Sequence, residues 1–122
     1  MIIQVRSLFQ AVAEMVGGKN VHSKGFGEQC AEQLQILANA KRQEILHLLS
    51  SVSSPLTVTE IQMRLKEEQS LVSHHLQTLR KAGFIRAEKT GRYCRYAVSN
   101  RISNKLGRQT IHLGCCSIVL EK

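Results

Sequence analysis

Hydrophobic positions along this chain repeat every three or four residues for most of its length, then switch to every second residue. Val5, Leu8, Phe9, Val12 and Val16 fall on one face of a helix that "GGKN" at 17 to 20 ends. No acid–base pair or ligand cluster decorates that segment, which predicts packing on the core or on another copy of the chain. After a loop with Gly25 and Gly27, "EQCAEQLQILANA" places Cys30, Leu34 and Leu37 on a common face, a second helix. Asn39 then stands where an N-cap is expected, ahead of "AKRQEILHLLSS" with its Ile45, Leu46 and Leu49 stripe. The only proline, Pro55, marks a loop. Beyond it Thr57 and Glu60 have capping-box spacing, and Val58, Ile61 and Leu65 form the stripe of a fourth, short helix to about Lys66.

Only "EEQ" separates that helix from "SLVSHHLQTLRKAGFI", residues 70 to 85, in which Val72, Leu76, Leu79 and Gly83 share a face. Two short helices joined by so tight a turn make a helix-turn-helix. The period then changes to two. Ile85 and Ala87 precede a Lys-Thr-Gly-Arg turn, and Cys94, Tyr96 and Val98 follow it, as in a hairpin with one half-buried face. A hairpin directly after a helix-turn-helix is a wing. In the tail, "NRISNKLGRQTIHLGCCSIVLEK", Ile102, Leu106 and Leu113 predict a last helix to about His112, interrupted by Gly107 and Gly114. The expected fold is thus mainly α with a small β-hairpin: a winged helix-turn-helix of five or six helices plus a two-stranded wing. Residues 1–24 are expected to form an N-terminal helix and loop that packs on the core or on another copy of the chain, and residues 25–122 the winged helix-turn-helix domain.

Composition changes this picture little. A length of 122 residues suits one compact unit, and 43% hydrophobic residues suit a globular one. No stretch approaches the roughly 18 uninterrupted apolar residues of a membrane span. Gln4, Arg6, Gln10 and Glu14 break up the N-terminal apolar run, against a signal peptide, so the expectation is a soluble, cytoplasmic protein without a membrane partner. Charge changes it more. Seventeen Lys and Arg against nine Asp and Glu give +8, with the surplus mostly after residue 78, a field that favours a polyanion unless it is merely a solvated basic surface.

Placement decides between those two. With Val72, Leu76 and Leu79 turned inward, Gln69, Ser70, Ser73, His74 and Gln77 turn outward, followed by the basic Arg80 and Lys81, while His75 lies at the boundary. Gln, Ser and His exchange hydrogen bonds with base edges, and basic groups farther along meet phosphates. Recognition helices also read bases with their N-terminal residues. A metal held by His74 and His75 is disfavoured, because adjacent side chains diverge by about 100° on a helix whereas ligand pairs sit at i and i+4. Catalysis is disfavoured too: no GxSxG elbow or other nucleophile motif is present, and no enzyme is expected. Histidines that merely fill a helix surface would account for His75 but not for the rest of the polar face.

In order, "ILANAKRQEILHLL", "LTVTEIQMRL", "SLVSHHLQTLRKAGFI" and "KTGRYCRYAV" resemble the ArsR/SmtB family of winged-helix transcriptional repressors over about residues 28 to 100. The resemblance implies a homodimeric repressor on a palindromic operator, released by an inducer that is often a metal ion or a thiol-reactive species. It implies base contacts from Gln69, Ser70, Ser73 and His74, and wing-tip contacts from Lys89 and Arg92 to the minor groove or its phosphates. A basic hairpin tip beside a recognition helix is also where a narrow, electronegative groove would be met. Dimerisation would use the first and last helices of the family fold, here "EQCAEQLQIL" and "NRISNKLGRQTIHL".

Four cysteines, Cys30, Cys94, Cys115 and Cys116, are irregularly spaced without a CxxC pair, which predicts thiols at rest rather than a disulfide framework. The family's arsenic-type Cys-x-Cys is absent, and of its zinc-type set on the final helix only His112 is available. No metal site and no cofactor are therefore expected. Family helices that neighbour one another would bring Cys30 near Cys115 and Cys116, a possible thiol sensor. Cys30 and Cys94 also suit plain core positions. Two alternatives stay open: a constitutive repressor without an inducer, and a winged-helix module that binds an acidic protein rather than DNA.

Overall fold

The computed structural model describes residues 2–5, 26–105 and 108–121. Helix α1 (Phe26–Leu37) buries Cys30, Leu34 and Leu37, the face its periodicity marked. Helix α2 (Ala40–Ser51) begins where Asn39 Oδ1 accepts the backbone N–H groups of Lys41 at 2.9 Å and Arg42 at 3.2 Å, satisfying donors that a helix start leaves free. A two-residue strand β2 (Leu56–Thr57) leads into α3 (Val58–Leu65). There the capping box is complete: Glu60 N–H donates to Thr57 Oγ1 at 3.2 Å, and Thr57 N–H donates to Glu60 Oε1 at 3.0 Å. Lys66 closes α3 in the left-handed conformation, and α4 (Gln69–Lys81) follows after two further residues, completing the helix-turn-helix.

The wing consists of β3 (Ile85–Thr90) and β4 (Tyr93–Val98), paired antiparallel from Ile85↔Val98 to Thr90↔Tyr93. Gly91, at φ +63°, supplies the turn conformation that a side chain would oppose. The wing is broader than expected, because β2 pairs with β4 and makes a three-stranded sheet of order β2-β4-β3.

The tail departs from the expected helix. Residues past the wing form β5 (Ile102–Lys105), β6 (Arg108–His112) and β7 (Ser117–Glu121), and with β1 (Ile2–Val5) they build a second sheet of order β1-β7-β6-β5. Burial explains the outcome. Gln109, Ile111 and Leu113 are buried while Arg108 and His112 are exposed and Thr110 is half-buried, a period of two that Gln109's polarity hides from a hydropathy pattern. The Gln109 amide is satisfied inside, donating to Leu46 O at 3.2 Å and Ser50 Oγ at 3.0 Å. Leu106 and Gly107 lie outside the described residues. At the other end, β1 runs parallel to β7 with Ile2 opposite Ser117. The predicted N-terminal helix is corrected at Val5, which lies in β1 opposite Leu120, and its other named positions fall outside the described residues. Among those residues there are four helices, fewer than the five or six expected, and seven strands rather than two.

One core joins these layers. Leu34 and Leu37 of α1, Ile45 and Leu46 of α2, Ile61 of α3, Val72, Leu76 and Leu79 of α4, and Phe84 pack with Ile111 and Ile118 of the tail sheet. Each fully buried aliphatic or aromatic side chain contributes about 1.5–3 kcal/mol relative to exposure, which fixes α4 by its inner face and leaves the outer one free.

Candidate nucleic-acid interface

Every residue expected on the reading face of α4 is exposed: Gln69, Ser70, Ser73, His74, Gln77, Arg80 and Lys81. The opposite face, Val72, Leu76 and Leu79, is at most 1% accessible. The helix therefore presents amides, hydroxyls and an imidazole along its first two turns and cations in its last. Lys89 and Arg92 are exposed near the tip of the wing, joined there by Tyr93 at 64% exposure and by Arg95 on β4. Tyr93 was legible as the aromatic after the Gly-Arg turn. Met63 on α3, 71% exposed, had no such signal. Glu88 pairs with Arg86 on β3, so the acidic residue of the wing is partly neutralised by its neighbour.

His75, expected at the boundary, is buried at 6% exposure. Its Nδ1 accepts a hydrogen bond from Arg42 Nε of α2 at 3.1 Å, and Arg42 Nη1 donates onward to Ile36 O at 3.1 Å. Burial, then the Arg42 charge, pushes the His75 pKa below the ordinary imidazole range, so the ring is a neutral acceptor. The two adjacent histidines thus have separate duties: His74 faces outward and His75 ties the helix to its support.

A second tie escaped the sequence reading. Arg101, in the turn before β5, donates from Nη1 to Ala82 O at 2.9 Å and from Nε to His112 O at 3.0 Å, reaches Gln33 Oε1 with Nη2, and stacks 4.6 Å from the Phe84 ring centre. It holds the C-terminal end of α4 against α1 and the tail sheet. In the sequence it was one more cation in a basic surplus.

The three candidate sensor cysteines come together at the junction of α1 and the β6–β7 turn. Cys30 and Cys116 are buried and Cys115 is half-buried. Cys30 and Cys115 are joined as a disulfide, a correction to the expectation of resting thiols, and Cys94 and Cys116 are free. Burial raises the Cys116 pKa, so its protonated form is favoured. The route that brings these residues together also differs from the one expected, since a turn between strands, not a final helix, carries Cys115 and Cys116.

A helix-turn-helix whose second helix turns a polar face to solvent, flanked by a basic hairpin, defines a winged-helix DNA-binding transcription regulator. The family model described as "Bacterial regulatory protein, arsR family" matches residues 39–87, from the α2 cap into β3. The HTH-type transcriptional regulator NmtR of Mycobacterium tuberculosis is 37% identical over 87 residues, covering 68% of this chain and 71% of the relative. Among solved structures, a homodimeric winged helix-turn-helix DNA-binding domain from Mycobacterium bovis, named a possible ArsR-family transcriptional regulator, aligns with TM-score 0.58 and 25% identity over 68% of this chain and 75% of that one. The transcriptional repressor PagR of Bacillus anthracis aligns with TM-score 0.53 and 33% identity over 60% and 82%. The chain belongs to the ArsR family of transcription regulators, which are not enzymes. Cys30, Cys115 and Cys116 all lie outside the segment that the family model matches. Among the described residues, no helix is long and apolar enough to cross a membrane.

Proposed function

We propose that this chain is a cytoplasmic homodimeric repressor that binds an inverted-repeat operator. Gln69, Ser70, Ser73, His74 and Gln77 read base edges in the major groove, Arg80 and Lys81 meet phosphates, and Lys89 and Arg92 enter the minor groove or its flanks. A two-fold protein requires two half-sites in inverted orientation. Residues 1–24 support packing or the dimer contact. A thiol-reactive or metal inducer acting at Cys30, Cys115 and Cys116 releases the operator. The observation that carries this reading is the exposure of the whole polar face of α4 beside an exposed basic wing.

Binding of the reduced protein to a fragment from immediately upstream of its own gene, followed by fluorescence anisotropy at several salt concentrations, tests it. The expected result is selectivity over random DNA of equal length and a steep loss of affinity as salt rises. Equal, weak binding to both DNAs would overturn it in favour of a winged helix whose partner is an acidic protein. In that second case, replacing Ser73 and His74 with alanine would leave partner binding intact.

A further inference from the structure

Helix α1 and the β6–β7 turn meet at three sulfur atoms. Leu113 N–H donates to Cys116 O at 2.9 Å and Gly114 takes φ +91°, so the turn reverses within two residues and carries both Cys115 and Cys116 to Cys30. All three Sγ atoms lie within 4.8 Å of one another. Cys116 Sγ is 3.8 Å from Cys30 Sγ and 3.7 Å from Cys115 Sγ. An ion about 2.3 Å from each of three sulfurs arranged around it holds those sulfurs roughly 4 Å apart. Two of the three spacings already have that value, and the third needs only the opening of the Cys30–Cys115 bond.

We propose that the reduced protein binds one soft d10 cation through the thiolates of Cys30, Cys115 and Cys116. The donor set selects the class of ion: three sulfurs and no oxygen favour a thiophilic ion over magnesium, calcium or manganese, and three donors fall short of the four that structural zinc takes. A phosphine opens the Cys30–Cys115 disulfide with two electrons and ends as its oxide, water supplying the oxygen and both thiol protons. A divalent ion then displaces three thiol protons and leaves a site of net charge −1. The bound ion fastens α1 to the tail sheet. Its binding stands apart from the DNA reading, and only its effect on the operator rests on that reading.

The test uses the full chain, reduced with a phosphine, freed of it without oxygen, and titrated with cadmium(II). The expected result is a thiolate-to-metal charge-transfer band that saturates at one equivalent. It should persist in Cys94→Ser and weaken, with at least about a tenfold loss of affinity, in Cys30→Ser, Cys115→Ser and Cys116→Ser. Circular dichroism of each metal-free variant checks folding. If the buried positions do not tolerate serine, the half-buried Cys115→Ser decides alone. No saturable band in the wild type, or a band that survives Cys115→Ser unchanged, overturns the site. A saturable band in a protein that ignores operator DNA leaves the site standing and overturns the repressor reading instead.

Discussion

Arg42 Nε donates to Nδ1 of His75 across 3.1 Å, joining the helix that precedes the helix-turn-helix to the inner edge of the second helix of that motif. The bond needs a neutral imidazole, because a protonated ring has no acceptor and would set a second positive charge against the guanidinium. Replacing Arg42 with leucine strands the buried His75 nitrogen and is expected to cost about 1–3 kcal/mol of stability. Urea unfolding followed by circular dichroism measures it.

The same bond sets a pH dependence. The His75 pKa is lowered in the folded state by burial and by Arg42, so below the ordinary value of about 6.5 the unfolded chain binds the proton that the folded chain resists. The His75 contribution is therefore fully present above about pH 6.5 and lost as pH falls towards the depressed folded value. The urea midpoint should drop on acidification through that window, and His75→Asn, whose amide oxygen accepts without titrating, should flatten the drop.

Ser73 and His74 are exposed, and the His74 ring lies 5.5 Å from that of its neighbour His75 on the same helix. Their replacement with alanine should leave thermal stability within about 0.5 kcal/mol and weaken operator binding by roughly 1–3 kcal/mol for each base that is no longer read. Random-sequence DNA should be bound almost as before. Anisotropy on both DNAs, with a thermal melt of each variant, reads the contrast.

On the proposed reading, Lys89 and Arg92 act through charge rather than base identity. Exchanging each for glutamine should weaken binding to all sequences alike and reduce the slope of log affinity against log salt by about 0.9 for each phosphate that is no longer neutralised. A change in sequence preference without a change in slope would argue against phosphate neutralisation by the wing.

Arg101 anchors the end of α4 through Ala82 O and links it to His112 O and the Phe84 ring. Arg101→Met keeps the apolar stem and removes the donors. It is expected to cost about 1.5–3 kcal/mol in unfolding free energy, because hydrogen bonds from a charged donor are the stronger ones. Hydrogen exchange should rise first at the amides of Ala82, Gly83 and Phe84.

The helix-turn-helix and the wing were legible because local signals agreed with the long-range pattern. Asn39 and the Thr57–Glu60 pair cap the helices that their spacing announces, and Val72, Leu76 and Leu79 define one face so clearly that the polar residues opposite them must be exposed. The tail was not legible for a specific reason. Gln109 is buried by virtue of bonds to Leu46 O and Ser50 Oγ on α2, partners 63 and 59 residues away that no local pattern reveals. Without it the alternation around β6 shrinks to Ile111 and Leu113, too short a run to outweigh the helical spacing of Ile102, Leu106 and Leu113. His75 likewise looked like a boundary residue because its partner, Arg42, is 33 residues distant. Cys115 and Cys116 stand in the tail, 85 and 86 residues from Cys30 on the core face of α1, so no local pattern joins them. Their meeting depends on the β6–β7 turn, in a sheet the sequence did not announce.

Whether the exposed face of α4 reads a DNA sequence is decided by selecting binding sites from a pool of random duplexes with the reduced protein, because selection presumes nothing about the operator. A dimeric repressor should enrich an inverted repeat whose half-sites lie about one helical turn, roughly 34–36 Å, apart, and Ser73→Ala/His74→Ala should abolish that enrichment. A pool that stays random with the wild type, or that enriches the same repeat with the double variant, would refute sequence reading by this face.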